Sequence, residues 1–321
     1  MEVIEGLSTL RRKFENSVVA LGTFDGIHRG HQEVIRTTKN IAKSSGKTSV
    51  VVTFEPVPRA VIGEERKKLG LLTTLKQKEE IIRNLGIDAM LIIHFNRKLA
   101  RIDPEEFVKR VIHKRIGAGR VVVGPGFRFG KNRSGNVESL KRWGRKYGFG
   151  VTIVGEVRID NTRVSSSKIR QLLWQGKIEK ANHLLGRYYT IKGTVVKGKR
   201  RGKELSFPTA NLDISEDVIL PLGVYAVLVS LRGKKHLGVA NIGTRPTFSP
   251  LYRFPIQKIN KEYTYPIVEI HILDFKRNLY RQKLELSLIK RIRREVRFPT
   301  PEKLMNRIEK DIQFTKKLRL I

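Results

Sequence analysis

The sequence predicts two folded units, an α/β unit built on a parallel sheet and a smaller antiparallel β-barrel closed by a terminal helix. Three observations carry this. Through the first half, short β-branched runs alternate with helix-length amphipathic segments, the pattern of a parallel sheet covered on both faces. Near Gly186 the period changes, and short strand-like runs follow with glycine-rich turns between them. At the end, Thr300-Pro-Glu-Lys opens a segment with Leu304, Ile308 and Ile312 on one stripe. A chain of 321 residues suffices for two such cores.

In chain order, Ser17–Leu21 reads as a buried strand. Gly22-Thr-Phe-Asp-Gly-Ile-His-Arg-Gly-His31 follows, then a helical pattern with Val34, Ile35, Ile41 and Ala42. This is a glycine-rich turn from a strand into a helix N-terminus, where free N–H groups and the helix dipole suit a phosphate. Gly22, Gly26 and Gly30 permit the sharp turn, and His28 and His31 stand at the helix mouth as donors to phosphate oxygens. A metal pair is disfavoured, because no carboxylate follows at zincin spacing and the chain has no cysteine.

Further strands are expected at 47–54, 88–95, 120–124 and 150–155. Helices are expected from about 75 to 85 after a Thr73 or Thr74 cap, from an Asp103-Pro-Glu-Glu106 capping box to about Ile116, and from Val137 to Tyr147. Val164-Ser-Ser-Ser-Lys-Ile-Arg170 runs into another helix, and Ile178–Leu185 ends at Gly186, a C-cap residue. The domain boundary is expected at 182/183. Beyond it, strands are expected at 188–196, 223–231, 236–242 and 265–275. In the last of these Val268, Ile270 and Ile272 share one face, leaving Glu269 and His271 on the other.

The charge is unusual: 65 Lys and Arg against 30 Asp and Glu give a formal +35. Such a field attracts phosphorylated ligands and polyanions, yet it is spread along the chain without forming a tail. The start lacks a basic segment followed by an apolar core, and no run is long enough to span a bilayer, so a cytoplasmic protein is expected.

The histidine motif resembles the His-x-Gly-His-type signature of nucleotidyltransferases, in the form found in prokaryotic FAD synthetases. Phe207-Pro-Thr-Ala-Asn211, Asn241-Ile-Gly-Thr-Arg-Pro-Thr-Phe248, Val268–Phe275 and Arg293-Arg-Glu-Val-Arg-Phe298 are similar to riboflavin kinase domains. The resemblance covers nearly the whole chain. It implies a Rossmann-like nucleotidyltransferase domain over 1–182 and a riboflavin kinase barrel over 183–321. It further implies a bifunctional enzyme that phosphorylates riboflavin to FMN with ATP and then adenylylates FMN to FAD, releasing pyrophosphate. Mg²⁺ is the implied metal, with ATP as co-substrate and FMN and FAD as substrate and product.

Residue by residue, the resemblance implies that His28, His31 and Arg170 serve adenylyl transfer. Gly22, Phe24, Asp25, Gly26, Gly30 and Phe54, with Ser166 and Ser167, would contact the nucleotide or flavin. In the kinase, Glu269 would be the general base and Thr209 and Asn211 the metal ligands. Gly198, Pro208, Asn241, Arg245 and Arg293 would contact the ligands there. Hydroxyl and amide oxygens suit a hard cation, and the forked guanidinium of Arg170 suits phosphate. The chain departs from the family at Val57, Pro125-Gly126, Ser206 and Arg281. Two other readings stand beside this one: a kinase with impaired adenylyl transfer, and a basic protein using a nucleotide fold to bind RNA. The charge also predicts weak, non-specific nucleic-acid binding.

Overall fold

A computed structural model describes residues 1–10, 14–62, 70–197, 207–214, 218–245, 257–259, 262–275, 277–296 and 298–318. They pack as two compact units, Met1–Ser166 and Ser167–Ile321.

The first unit is organised on six parallel strands: β1 (Glu2–Glu5), β2 (Ser17–Leu21), β3 (Ser49–Glu55), β4 (Ala89–His94), β5 (Ala118–Val123) and β6 (Gly150–Ile153). Their order is β1-β4-β3-β2-β5-β6, so the chain reverses its direction of travel across the sheet beside β2. Ligands of open α/β sheets bind outside the strand C-termini at such a switch point, and the glycine-rich turn leaves β2 there. Between the strands run α1 (Arg29–Ser44), α2 (Pro58–Ile62), α3 (Leu75–Asn84), α4 (Arg97–Ala100), α5 (Pro104–Phe107) and α6 (Val137–Tyr147). A two-stranded ribbon, β7 (Arg158–Ile159) with β8 (Thr162–Arg163), follows β6.

Alternation along β2 supplies two cores. Val18 and Ala20 pack with Val34, Ile35 and Ile82 of α1 and α3, while Val19 and Leu21 pack with Phe107, Val111 and Leu140 on the opposite face. With both faces covered, the strand reads as an unbroken apolar run. The expected caps are present in part. Thr74 and Gln77 close a capping box on α3. Asp103 caps α5 through the Glu105 N–H, but Glu106 turns to Lys109 and Arg110.

The helix expected to continue to Ile116 becomes a π-helical run over Val108–Ile116, ended by Gly117 at φ +75°. The wider turn still buries Val108, Val111, Ile112 and Ile116, so packing selects it where sequence spacing reads equally as α. The structure also adds β1 as an edge strand parallel to β4. Its four residues are too few to show a period.

The second unit holds α7 (Ser166–Trp174, its first residue lying in the first unit), α8 (Ile178–Leu185), β9 (Tyr189–Val196), β10 (Ala210–Asp213), β11 (Gly223–Leu231), β12 (Lys234–Arg245), β13 (Gln257–Ile259), β14 (Glu262–Ile272), β15 (Lys283–Arg293) and α9 (Pro301–Lys316). Strands β10-β9-β15-β11-β12-β14 are antiparallel neighbours, and pairing of β14 with β10 closes them into a barrel. Val227, Ala240, Ile242, Val268, Ile270, Leu286 and Leu288 are all buried. Strands β10 and β15 were not anticipated from sequence. The first spans only four residues of a turn-like motif, whereas Leu284, Leu286 and Leu288 carry a period of two that could have identified the second.

The packing division precedes the expected 182/183 boundary because α8 rests on the barrel. The Asn182 amide donates to the Leu288 carbonyl at 2.9 Å and its oxygen accepts the Tyr189 N–H at 2.7 Å.

Candidate active sites

In the first unit the site is built by the Gly22–His28 turn and the start of α1. Gly26 has φ +82°, and a Cβ there would lie 2.7 Å from Leu72 Cδ1, so glycine is required twice over. Phe24 and Ile27 also take positive φ, +47° and +33°, which are strained values for side chains of this size.

Hydrogen bonds from distant segments hold the turn. The Thr23 carbonyl accepts from Thr53 Oγ1 at 3.1 Å and from Lys78 Nζ at 3.1 Å. Asp25 Oδ1 accepts the Leu72 and Thr73 N–H groups at 3.0 and 3.3 Å. The Gly26 N–H donates to Thr73 Oγ1 at 3.0 Å, and Ser166 Oγ donates to the Asp25 carbonyl at 2.9 Å.

Both histidines stand at the start of α1. His28 is the N-cap of α1, its Nδ1 accepting the His31 N–H at 3.3 Å. That bond places the proton of a neutral His28 on Nε2, so that nitrogen is the donor of the ring. The rings stack with centroids 3.8 Å apart, and Phe24 meets His31 edge-on at 5.3 Å. Gly30 makes room for the stack, since a Cβ there would lie 3.3 Å from the His28 ring. Desolvation above all, then the neighbouring His28 and Lys78, hold the His31 pKa well below 6.5. Nδ1 of His31 is buried and makes no hydrogen bond among the described residues.

Asp25 is buried and turned toward the segment before α3. Phe54 is half-buried, with its ring 5.8 Å from that of Phe95. Ser167 and Arg170 lie in the first turns of α7, and Arg170 is buried. Sequence reasoning gave no site role to Thr53 or Lys78, read Thr73 only as a candidate helix cap, and assigned nothing to Thr23 although it lies inside the glycine-rich motif.

In the barrel, strand register assembles the site. Glu269 on β14 stands opposite Asn211 on β10 and, on its other side, opposite Asn241 on β12. The three share one rung and one face, because directly opposed residues of antiparallel strands point the same way. Val268 and Ile270 beside Glu269 are buried, which leaves the rung on the outer face. The Pro208 carbonyl lies 2.9 Å from His271 Nδ1, tying the segment that carries Thr209 to the same strand.

Asn241 Oδ1 is buried and has no hydrogen-bond partner among the described residues. Those residues include no cluster of three or more His, Asp or Glu side chains fit to hold a metal. Hydroxyl and amide oxygens beside one carboxylate instead fit a hard cation that keeps waters and substrate phosphates in its shell.

Arg293 Nε donates to Asp311 Oδ2 of α9 at 2.8 Å, and its guanidinium lies over the Phe298 ring. The backbone of Arg245 ends β12 opposite Tyr265, while its side chain lies outside what the structure describes. Gly198 and Ser206 also lie outside the described residues.

A glycine-rich turn at a sheet switch point in the first unit, and in the second a barrel rung that sets a carboxylate between two amides, are the two candidate sites. Residues 10–168 match the FAD synthetase family and residues 185–319 the riboflavin kinase family. The bifunctional riboflavin kinase/FMN adenylyltransferase of Listeria monocytogenes is 38% identical over 304 residues, covering 94% of this chain and 92% of that protein. The protein of the same description from Buchnera aphidicola subsp. Schizaphis graminum is 35% identical over 319 residues, covering 99% and 98%. This chain belongs to the bifunctional riboflavin kinase/FMN adenylyltransferase family.

The fold is also that of a crystal structure described as a macrolide-efflux protein from Streptococcus pneumoniae. The TM-score is 0.88 at 27% identity, over 99% of this chain and 100% of that one. The efflux description belongs to that protein. Among the described residues here, no helix is long and apolar enough to cross a membrane.

Proposed function

We propose that the barrel phosphorylates riboflavin with ATP and that the α/β unit adenylylates the resulting FMN, giving FAD and pyrophosphate. The functional division is assigned to 182/183, which falls in the gap between the two family matches. The observation that carries the kinase reading is the rung that sets Glu269 between Asn211 and Asn241. Glu269 accepts the proton of the ribityl 5′-hydroxyl as that oxygen attacks the γ-phosphorus and ADP leaves. Thr209 and Asn211 would hold Mg²⁺, which would neutralise phosphate charge there. Pro208, Asn241, Arg245, Arg293 and Gly198 contact the ligands by family resemblance. The bond from Arg293 Nε to Asp311 fixes the side chain that makes this contact.

In the α/β unit an FMN phosphate oxygen attacks the α-phosphorus of ATP. His28, through Nε2–H, and His31 donate to the phosphate oxygens on which charge grows. Gly22, Gly26 and Gly30 let the backbone approach, and Phe24 and Asp25 shape the turn. Ser166, Ser167 and Arg170 are proposed phosphate contacts, and Phe54 a flavin-side contact. We place the enzyme in the cytoplasm and assign its excess charge to weak, non-specific polyanion binding.

The test incubates the chain with riboflavin, ATP and Mg²⁺ and resolves FMN from FAD. Glu269→Gln is expected to lower FMN formation by about 10²–10⁴-fold while FAD still forms from supplied FMN. His28→Ala should do the reverse, losing about 10²–10³-fold in adenylyl transfer. Loss of both activities in a folded Glu269→Gln protein would refute the two-site assignment.

A further inference from the structure

Lys78 is a lysine with almost no solvent contact, 1% exposed, on α3 directly beneath the histidine turn. A buried ammonium is costly unless its donors are used. Here Nζ donates to the Thr23 carbonyl at 3.1 Å and lies 3.4 Å from Thr53 Oγ1, which itself donates to the same carbonyl. Thr23 lies next to Phe24, where the strained stretch of positive φ begins. Strain of this kind persists only where the surroundings over-determine the backbone. Burial pulls the Lys78 pKa below the usual lysine value, opposed by the carboxylates of Glu55 and Asp25. No role assigned so far uses this charge.

We infer that Lys78 is a positioning residue for adenylyl transfer: it ties the Thr23 carbonyl to α3 and so holds the strained turn that sets His28 and His31 at the mouth of α1. It acts through the turn and does not touch substrate. The inference rests on the assignment of adenylyl transfer to that turn. Small displacements of reacting groups cost about 10²-fold in rate. They weaken contacts that strengthen in the transition state more than ground-state binding.

The experiment compares Lys78→Met, which keeps the stem and removes the ammonium, with Lys78→Gln, which keeps a donor without the charge. Both are made in the full chain, where riboflavin phosphorylation and thermal unfolding report on folding. Lys78→Met is expected to lose about 100-fold in kcat for FAD formation from FMN, with the KM for ATP changed by less than about threefold. Kinase activity should be unchanged within about twofold, and Lys78→Gln should recover at least about tenfold of the lost kcat.

Adenylyl transfer within about threefold of the unsubstituted chain in Lys78→Met would overturn the inference. So would a raised KM for ATP at unchanged kcat. If Lys78→Met fails to fold, Lys78→Gln decides alone: an undiminished kcat or a pure KM effect overturns the inference. A kcat lowered between about threefold and tenfold supports it. His28→Ala and His31→Ala distinguish the two assignments. If they keep adenylyl transfer the site itself is wrong, and if they lose it while Lys78→Met does not, only the positioning role falls.

Discussion

His31 joins its proposed phosphate-binding role to an unusual environment, and its protonation has a definite sign. Its pKa lies well below 6.5 in the folded chain, through burial first and then the charges of His28 and Lys78. The native state therefore binds fewer protons than the unfolded chain. The stability this contributes is present above pH 6.5 and is lost as pH falls through the depressed native value. His31→Ala should lose less stability than the unsubstituted chain between pH 7 and about pH 5, measured by thermal unfolding. In the barrel, Asn211 stands opposite Glu269, and its amide oxygen is the proposed ligand to a cation. Asn211→Ala should raise the magnesium concentration for half-maximal kinase activity. An unchanged magnesium titration would remove it from the metal shell.

At the level of elements, α9 is fastened to the barrel by one buried carboxylate. Asp311 is 1% exposed and pairs with Arg293 of β15 at 2.8 Å, while Arg307 approaches its other oxygen at 3.3 Å. Removing one partner of such a pair strands the other in a poorly solvated position, which costs about 3 kcal/mol. Asp311→Ala should therefore lower the unfolding free energy of the barrel by about 3 kcal/mol, read from denaturant unfolding, with adenylyl transfer from supplied FMN retained at moderate temperature. Both elements were legible in part. The proline-led start of α9 and its apolar stripe are local signals, and Leu284, Leu286 and Leu288 mark β15. The docking of one on the other depends on Asp311, a charged residue that sequence patterning would place in solvent.

For the whole molecule, the formal charge of +35 exceeds what ATP and FMN require. A diffuse basic surface binds nucleic acid by counterion release, so its affinity should fall steeply between low and physiological salt. Turnover depends on short-range contacts and should respond far less over that range. Fluorescence titration with two unrelated RNA sequences at two salt concentrations, run beside FAD assays, checks this. A strong preference for one RNA that survives physiological salt would show a specific site.

Much of the enzyme was legible because local chemistry writes it into short stretches. The strand–turn–helix of Ser17–Ser44 follows from β-branched residues, glycines and a helical stripe within one continuous segment. The Thr74 cap and the Gly186 terminus are equally local. Contacts between distant segments left no such trace. Lys78 reaches Thr23 across 55 positions, and Thr73 reaches Gly26 across 47. The rung of Asn211, Glu269 and Asn241 exists only because three strands pair in one register. A residue's helical or strand period reports which face it takes, not which partner stands opposite. That partner is set by sheet order and register, which the closing of the whole barrel and the packing of α3 under β2 impose.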